Sequence, residues 1–254
     1  MKSFFLAAWN IVMRDYRVRF RRTLLGVVWF LMPLFTLIGM ALFVGKDIGL
    51  YASGEHSQYL VRLLAGLIFW QLLADTWLEP MRFGRRANMV LRAVAFDQRT
   101  LLAAGALSAL VAFAVKAPVL IAALIWFRVV PDHAALLLPL GVVTLLTVGV
   151  AMACFTLPIS LALLDIRYGM PFVQYALLLA TPVFYPMPGS GPLARINQLN
   201  PFTYVVPPVR DALIGQSVDM TIFLVSSLVA ALFLGLGLLY FQAKIRLAIA
   251  YIGR

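Results

Sequence analysis

Three ionisable side chains interrupt runs that are otherwise apolar: Asp75, Glu79 and Lys116. Charges in such settings usually mark a substrate or ion path, so an ion-coupled carrier is the first reading to test. Asp75 and Glu79 are four residues apart and share one helix face. Counted from where the apolar runs end, Asp75 and Lys116 differ in depth by ~18 Å at ~1.5 Å per residue. That gap excludes a direct pair. The carboxylates are expected to meet Arg82, Arg85 or Arg86 instead. Lys116 and Arg62, at similar depth, are expected to extend their heads toward the nearer membrane surface. Catalytic patterns are missing from the sequence: it holds no GxxxxGK[ST], no HExxH and no GxSxG. His56 and His133 lie in polar connections. Cys154 is the single cysteine, and without a CxxC or a Cys/His cluster neither an internal disulfide nor a zinc site is expected. No catalytic residue and no metal ligand is therefore assigned.

The elements that would position these groups follow from composition. Of the 254 residues, 63% are hydrophobic and 12% charged, against about 25% charged in a soluble domain. Mean hydropathy is +0.95. A globule of this size could not hide so much apolar surface, so the solvent for this chain is lipid. The net charge of +11 does not point to nucleic acid, because the basic residues lie between apolar runs rather than on a soluble face. At about 20 apolar residues per crossing, six spans are expected: Leu24–Val44, Leu60–Leu78, Leu101–Phe127, Ala134–Leu164, Met170–Met187 and Met220–Phe241. The fourth is longer than a bilayer needs, and Pro139 and Pro158 are expected to bend it or mark its ends. The N-terminal segment, the second-to-third and fourth-to-fifth connections and the tail carry 15 Lys and Arg, and the other side 5. Both termini are therefore expected in the cytoplasm.

Residues 1–23 read as an amphipathic helix in the membrane interface rather than a cleaved signal peptide, since RDYRVRFRR follows the apolar stretch. Phe5, Trp9, Val12, Met13, Tyr16 and Phe20 fall on one face. Asn10, Arg14, Arg17 and Arg21 fall on the other, with Arg19 and Arg22 adding to the basic run. The helix is either a basic anchor that sets topology or a docking surface for a cytoplasmic partner. Pro80–Thr100 mixes Arg82, Arg85, Arg86, Asn88 and Arg92 with Met81, Phe83, Met89, Val90 and Leu91. Charges alone would set topology, whereas charges with apolar anchors fit a helix docking in another protein's groove. Pro188–Asp219 faces outside. Within it Pro201–Ile214 is apolar but broken by Pro207 and Pro208, which suggests a re-entrant helical hairpin. Aromatic residues inside spans include Trp29, Phe30, Phe35, Phe69, Trp70, Phe172, Tyr175, Phe184 and Tyr185. Packing and interfacial belts account for most such rings, and a sugar-conducting path would use them too.

The run RFRRTLLGVVWFLMPL (Arg19–Leu34) resembles the junction of interface helix and first span in type-2 ABC permeases of the polysaccharide export family. A basic-aromatic pair, Arg19 and Phe20, precedes Thr23, Leu25, Gly26 and Trp29. DIRYGMPFVQYALLLATPVFYPM resembles that family's fifth span, and LNPFTYVVPPVRDALIG its outer re-entrant segment, with Asn200, Pro201 and Arg210 in the family's places. Two positions depart from the pattern: Leu164 stands before Asp165 where the family often has Arg, and Pro33 is one residue nearer Gly26. The resemblance covers nearly the whole chain. It implies an all-α membrane fold, with residues 24–254 forming one transmembrane domain and two copies enclosing a channel. It implies two copies of a separate cytoplasmic ATPase, which would carry ATP and Mg²⁺, and no cofactor on this chain. Pro80–Thr100 would hold the coupling helix, with Arg82, Arg85, Arg86, Asn88 and Arg92 toward the ATPase. The interior aromatics would be channel-lining candidates, and Asn200, Phe202, Tyr204 and Arg210 would form an outer gate. The cargo would be a lipid-linked glycan, O-antigen foremost, crossing the bacterial inner membrane. A type-2 permease for a drug, lipid or other small substrate is the alternative. An intramembrane enzyme of lipid-sugar metabolism would need Asp, Glu or His clustered at one depth.

Overall fold

Long apolar runs in lipid have one way to satisfy their backbone groups within a single segment, which is the helix. The computed structural model describes residues 2–21, 28–47, 56–86, 97–187 and 189–252, and no strand occurs among them. In chain order the helices are α1 (Lys2–Arg21), α2 (Val28–Asp47), α3 (His56–Arg86), α4 (Arg99–Trp126), a short 3₁₀ turn (His133–Leu137) and α5 (Leu138–Ala162). They continue as α6 (Leu164–Ala180), α7 (Pro192–Leu199), a second 3₁₀ turn (Pro201–Tyr204), α8 (Val206–Leu213) and α9 (Met220–Ile252). Among the described residues, four stretches are long and apolar enough to cross a membrane: Gln58–Gly84, Arg99–Trp126, His133–Ala162 and Met220–Ala250. The chain is in this sense an all-α membrane protein. In α2 the apolar stretch is the shorter Leu31–Met40. The 17 residues of α6 span ~26 Å, just under the ~30 Å of a hydrocarbon core.

Helix α3 is the centre of the bundle. It packs along α4 and α5 and also touches α2, α6 and α8. It is the least apolar of the four and the most enclosed, with 78% of its most apolar window buried against 17% for α9. The two facts have one cause: a helix surrounded by protein can carry polar groups that a lipid-facing helix cannot. Close approach is bought with small residues. A Cβ on Gly105 of α4 would run into the Pro80 ring. One on Gly149 of α5 would lie 2.6 Å from Thr76 Cβ and 2.8 Å from the Leu73 carbonyl. Hydroxyls within the helices are satisfied locally or across the bundle. Thr76 and Thr156 bond the carbonyls four residues back, Trp77 Nε1 donates to Thr156 at 3.0 Å, and the Thr144 and Ser227 hydroxyls meet at 2.9 Å.

The core divides along the bundle. At one end Ala8, Val12 and Tyr16 of α1 pack with Trp77, Met81, Leu101, Leu157 and Phe241. At the other, Phe202, Val205, Val206, Val209 and Leu213 pack with the first half of α3. The face of α1 turned to the bundle is thus Ala8–Val12–Tyr16. Phe5 and Trp9, expected on the same face, are exposed together with Leu6, so α1 has a second apolar side next to exposed Arg14, Arg17 and Arg21.

Several expected boundaries move. The second span extends to Arg86 and absorbs the start of Pro80–Thr100, and the last runs on through Lys244 and Arg246. Pro139 opens α5 at its first turn, a position where its missing N–H is harmless. The stretch expected as Met170–Met187 is helical over Leu164–Ala180 instead. Only Leu163, extended at φ −120° and ψ 115°, separates it from α5. Asp165 and Arg167 therefore lie inside a helix, and Arg167 Nη2 donates back across the break to the Ser160 carbonyl at 2.9 Å. At the other end Pro182 forces Thr181 into extended backbone, φ −102° and ψ 137°, so the helix stops before Phe184 and Tyr185.

Candidate functional site

Gln71, Asp75, Glu79 and Arg82 recur at helical spacing and line one face of α3. Ser108, Ala112 and Lys116 form the matching stripe on α4. With Trp70 and Leu78 of α3, Tyr16 of α1, Pro33 and Leu37 of α2 and Gln174, Tyr175 and Leu178 of α6, they line an open-sided cavity of about 220 Å³. Lys116 Nζ stands 3.4 Å from Asp75 Oδ2, and Arg82 Nη1 lies 2.7 Å from Glu79 Oε1. The first contact overturns the expectation that depth forbids an Asp75–Lys116 pair. The count ended α3 at Leu78, where apolarity ends, whereas the helix continues to Arg86. From the true helix ends the two Cα atoms differ in depth by only ~9 Å, which an extended lysine stem bridges. Nor does Lys116 extend toward a membrane surface: it is 5% exposed, turned inward. The expected contact of Glu79 with Arg82 is present. Arg62 is half-buried and borders the cavities at the opposite end of the bundle.

The charges lining the cavity balance, two carboxylates against two cations. The polar groups do not all balance. Among the described residues neither amide atom of Gln71 nor the indole N–H of Trp70 has a hydrogen-bond partner, and both side chains are buried. Leaving such groups unbonded costs on the order of 1–3 kcal/mol each. Tyr16 is held at the cavity edge by donating its hydroxyl to the Ser108 carbonyl at 3.0 Å. Sequence reasoning missed the cavity. The available signal was the polar stripe Gln71–Asp75–Glu79 on one face of a span.

The segment after α6 is fixed by its polar residues. Asn200 Nδ2 donates to the Ala180 carbonyl at 3.0 Å and to Thr181 Oγ1 at 2.9 Å, and its Oδ1 accepts from the Phe202 amide at 3.1 Å. Arg210 Nη1 donates to the Pro182 carbonyl and Nε to Asp211, both at 2.8 Å. Tyr204 Oη donates to the Gln198 carbonyl at 2.9 Å, and the Tyr185 hydroxyl reaches Asn197 Oδ1 at 3.0 Å. Phe202 meets Trp70 edge to face with centroids 5.7 Å apart. Trp70 is ~21 Å along α3 from its first residue, so the segment folds back to about the middle of that helix. Asn200, Phe202 and Arg210, expected at an outer gate, are buried in this packing, and Tyr204 is half-buried.

No protein-family model matches the chain, and no curated protein matches it.

The remaining expected site residues divide. Phe35, Phe172 and Tyr175 present exposed rings, and Phe184 and Tyr185 are partly exposed. Phe69 is 2% exposed and stacks on Phe113, and with Trp70 it belongs to the packed core of the bundle. Trp29, Phe30, Arg19, Arg85 and Arg86 fall in helices, but their side chains lie outside what is described, as do Arg22, Asn88 and Arg92 entirely. No group of three His, Cys, Asp or Glu placed to hold a metal occurs among the described residues. Chemically, the cavity wall carries its charge as two ion pairs, Lys116 with Asp75 and Arg82 with Glu79.

Proposed function

We propose that this chain is the membrane subunit of an ATP-driven, type-2 ABC exporter that moves a lipid-linked polysaccharide, O-antigen foremost, across the bacterial inner membrane. Two copies form the channel, and two copies of a separate cytoplasmic ATPase drive it. In this reading α2, α3, α4, α5, α6 and α9 are the six crossings. Both termini are cytoplasmic, α1 lies in the inner interface, Pro80–Thr100 docks on the ATPase, and Pro192–Leu213 re-enters from outside. The observation that carries the reading is that returning segment. It is apolar and proline-broken, and it is pinned to the end of α6 by Asn200 and Arg210, two residues that fit the family's outer motif. It also sits at the end of the bundle opposite α1, as an exporter of this class requires. Exposed Phe172 and Tyr175 on α6 suit a sugar path.

The test is deletion of the gene in its own bacterium. Loss of one surface glycan with accumulation of its lipid-linked precursor inside the cell is the expected result. An unchanged glycan profile, together with failure of the tagged protein to recover any ATPase subunit, sinks the proposal.

A further inference from the structure

Helix α9 is the least enclosed of the long helices, and Val225 and Val229 on it are more than half exposed. Its surface near the returning segment is not smooth. Met152 of α5, Phe202 and Val205 of the returning segment and Thr221, Val225 and Phe233 of α9 line a groove of about 590 Å³. Beside it lies a polar cavity of about 360 Å³ bordered by Arg62, Arg210, Asp211 and Asp219, and Tyr204 and Ile222 border both. We propose that groove and cavity together bind one amine-bearing glycerophospholipid of the surrounding bilayer, with an acyl chain along α9, its phosphate at Arg62 and its ammonium at Asp219. The proposal needs only that the chain spans a membrane, and it goes beyond the exporter reading.

Length, polarity and charge each narrow the occupant. Thr221 to Phe233 is ~18 Å of helix, close to the ~15 Å of one leaflet, half of a ~30 Å hydrocarbon core. The polar cavity stands where α9 begins, beside Asp219, the residue before its first turn. A lipid's head group and chain follow in that order and to that depth. Apart from Thr221 at its mouth, the hydroxyls along the groove are spent: Ser226 donates to the Phe223 carbonyl and Tyr204 to the Gln198 carbonyl. In the polar cavity Arg210 and Asp211 neutralise each other at 2.8 Å. That leaves Arg62, half-buried and without an ion-pair or hydrogen-bond partner among the described residues, and exposed Asp219, one of whose oxygens accepts from the Ile222 amide. A partly buried guanidinium without a counter-ion is costly, and a phosphate supplies one. One cation and one anion match a zwitterion. A glycerol head group would give Asp219 no cation to face. A diphosphate would need a second free cation, and Arg128, in the neighbouring cavity that Arg62 also borders, is accompanied by Asp132. A long polyprenyl chain would overrun a groove one leaflet deep. Phe202 and Val205 belong to both the core and the groove, so the lipid backs the returning segment on its membrane side.

The experiment uses the full-length protein, purified in detergent and depleted of co-purified lipid. Dioleoyl phosphatidylethanolamine, dioleoyl phosphatidylglycerol and a polyprenyl phosphate are titrated separately, and adducts are counted by native mass spectrometry. One saturable phosphatidylethanolamine adduct per chain is expected, several-fold tighter than that of phosphatidylglycerol. Val225→Trp fills the groove from an exposed position and should weaken the adduct by about tenfold or more. Arg62→Gln should weaken it about tenfold, the loss expected for a hydrogen bond to a charged group, while Arg62→Lys keeps most of it. Val225→Trp serves if Arg62→Gln fails to fold. Ile121→Trp, as exposed on α4 and outside both cavities, should leave binding unchanged. Binding indifferent to both Val225→Trp and Arg62→Gln overturns the proposal, as does equal or tighter binding of phosphatidylglycerol or of the polyprenyl phosphate. No saturable adduct at all overturns it too. So does a dimer that Val225→Trp abolishes without any lipid adduct, which would make the groove a contact between copies of this chain.

Discussion

Lys116 and Asp75 are unequal partners. The lysine side chain is 6% exposed and the aspartate 28%, so loss of the aspartate strands the more deeply buried charge. Removing one member of a buried pair costs roughly 3–5 kcal/mol, and replacing both by apolar groups of similar volume is often near neutral. Asp75→Asn is therefore expected to lower the unfolding temperature in detergent more than Lys116→Met, the latter costing nearer ~2 kcal/mol because water still reaches Asp75. The double variant Asp75→Leu with Lys116→Met should recover most of the loss. Equal and additive losses in this double-mutant cycle would show that the two side chains are not coupled. The pair also shows what single-residue reasoning could not reach. Which residues are charged was plain, but their meeting depended on where α3 ends, and the charged turn Glu79–Arg86 is held in the bundle by Met81 and Phe83, buried on different sides of the helix.

At the scale of elements, packing between helices depends on glycines whose missing side chains admit a neighbour. Gly149→Ala sets a methyl against Thr76 and the Leu73 carbonyl. Backbone cannot yield as a flexible side chain can, so α3 and α5 must part, at about 1–3 kcal/mol. Gly39→Ala in α2, with nothing within 4 Å of its added methyl, should be neutral or slightly stabilising. Thermal unfolding of the two variants side by side checks this, and a Gly39→Ala loss as large as that of Gly149→Ala would refute the packing account. The returning segment makes a second expectation. In a Cys154→Ala background, a cysteine at exposed Ser190 should react rapidly with a membrane-impermeant maleimide, and one at buried Val205 should not. Asn200→Ala, which removes three hydrogen bonds, should make Val205→Cys reactive, and continued protection would mean that the apolar contacts alone hold the segment. Apolar periodicity made the helices themselves legible, and Pro207–Pro208 announced a broken element. The start of α6 was not legible, because Asp165 and Arg167 look like a connection until Arg167 finds the Ser160 carbonyl. The inward face of α1 was misjudged for a related reason: Phe5 and Trp9 are as apolar as Val12, and only contact with α4 decides which side is enclosed.

For the whole molecule, the exporter reading gives two expectations. The purified chain alone should hydrolyse no ATP, since its sequence has no glycine-rich phosphate cradle, and robust turnover by a homogeneous preparation would contradict that. Replacing Arg85 and Arg86 by Glu should weaken recovery of the ATPase or uncouple hydrolysis from export, because it reverses charge at the surface assigned to docking. Normal export with normal recovery would leave these arginines a topological role only. One feature of the bundle ties its two ends together. The Trp70 indole borders the cavity between α3 and α4 and also receives the edge of Phe202 from the returning segment. It is a bulkhead shared by two compartments. Withdrawing Phe202 would leave the indole unsupported on one side, and a change in the cavity wall would shift it from the other. A change of packing at Trp70 from the cavity side and a change in the docking of Phe202 would then be linked, with the same coupling free energy read from either side. In the exporter reading, such a link would let the bundle register its cargo with no separate messenger.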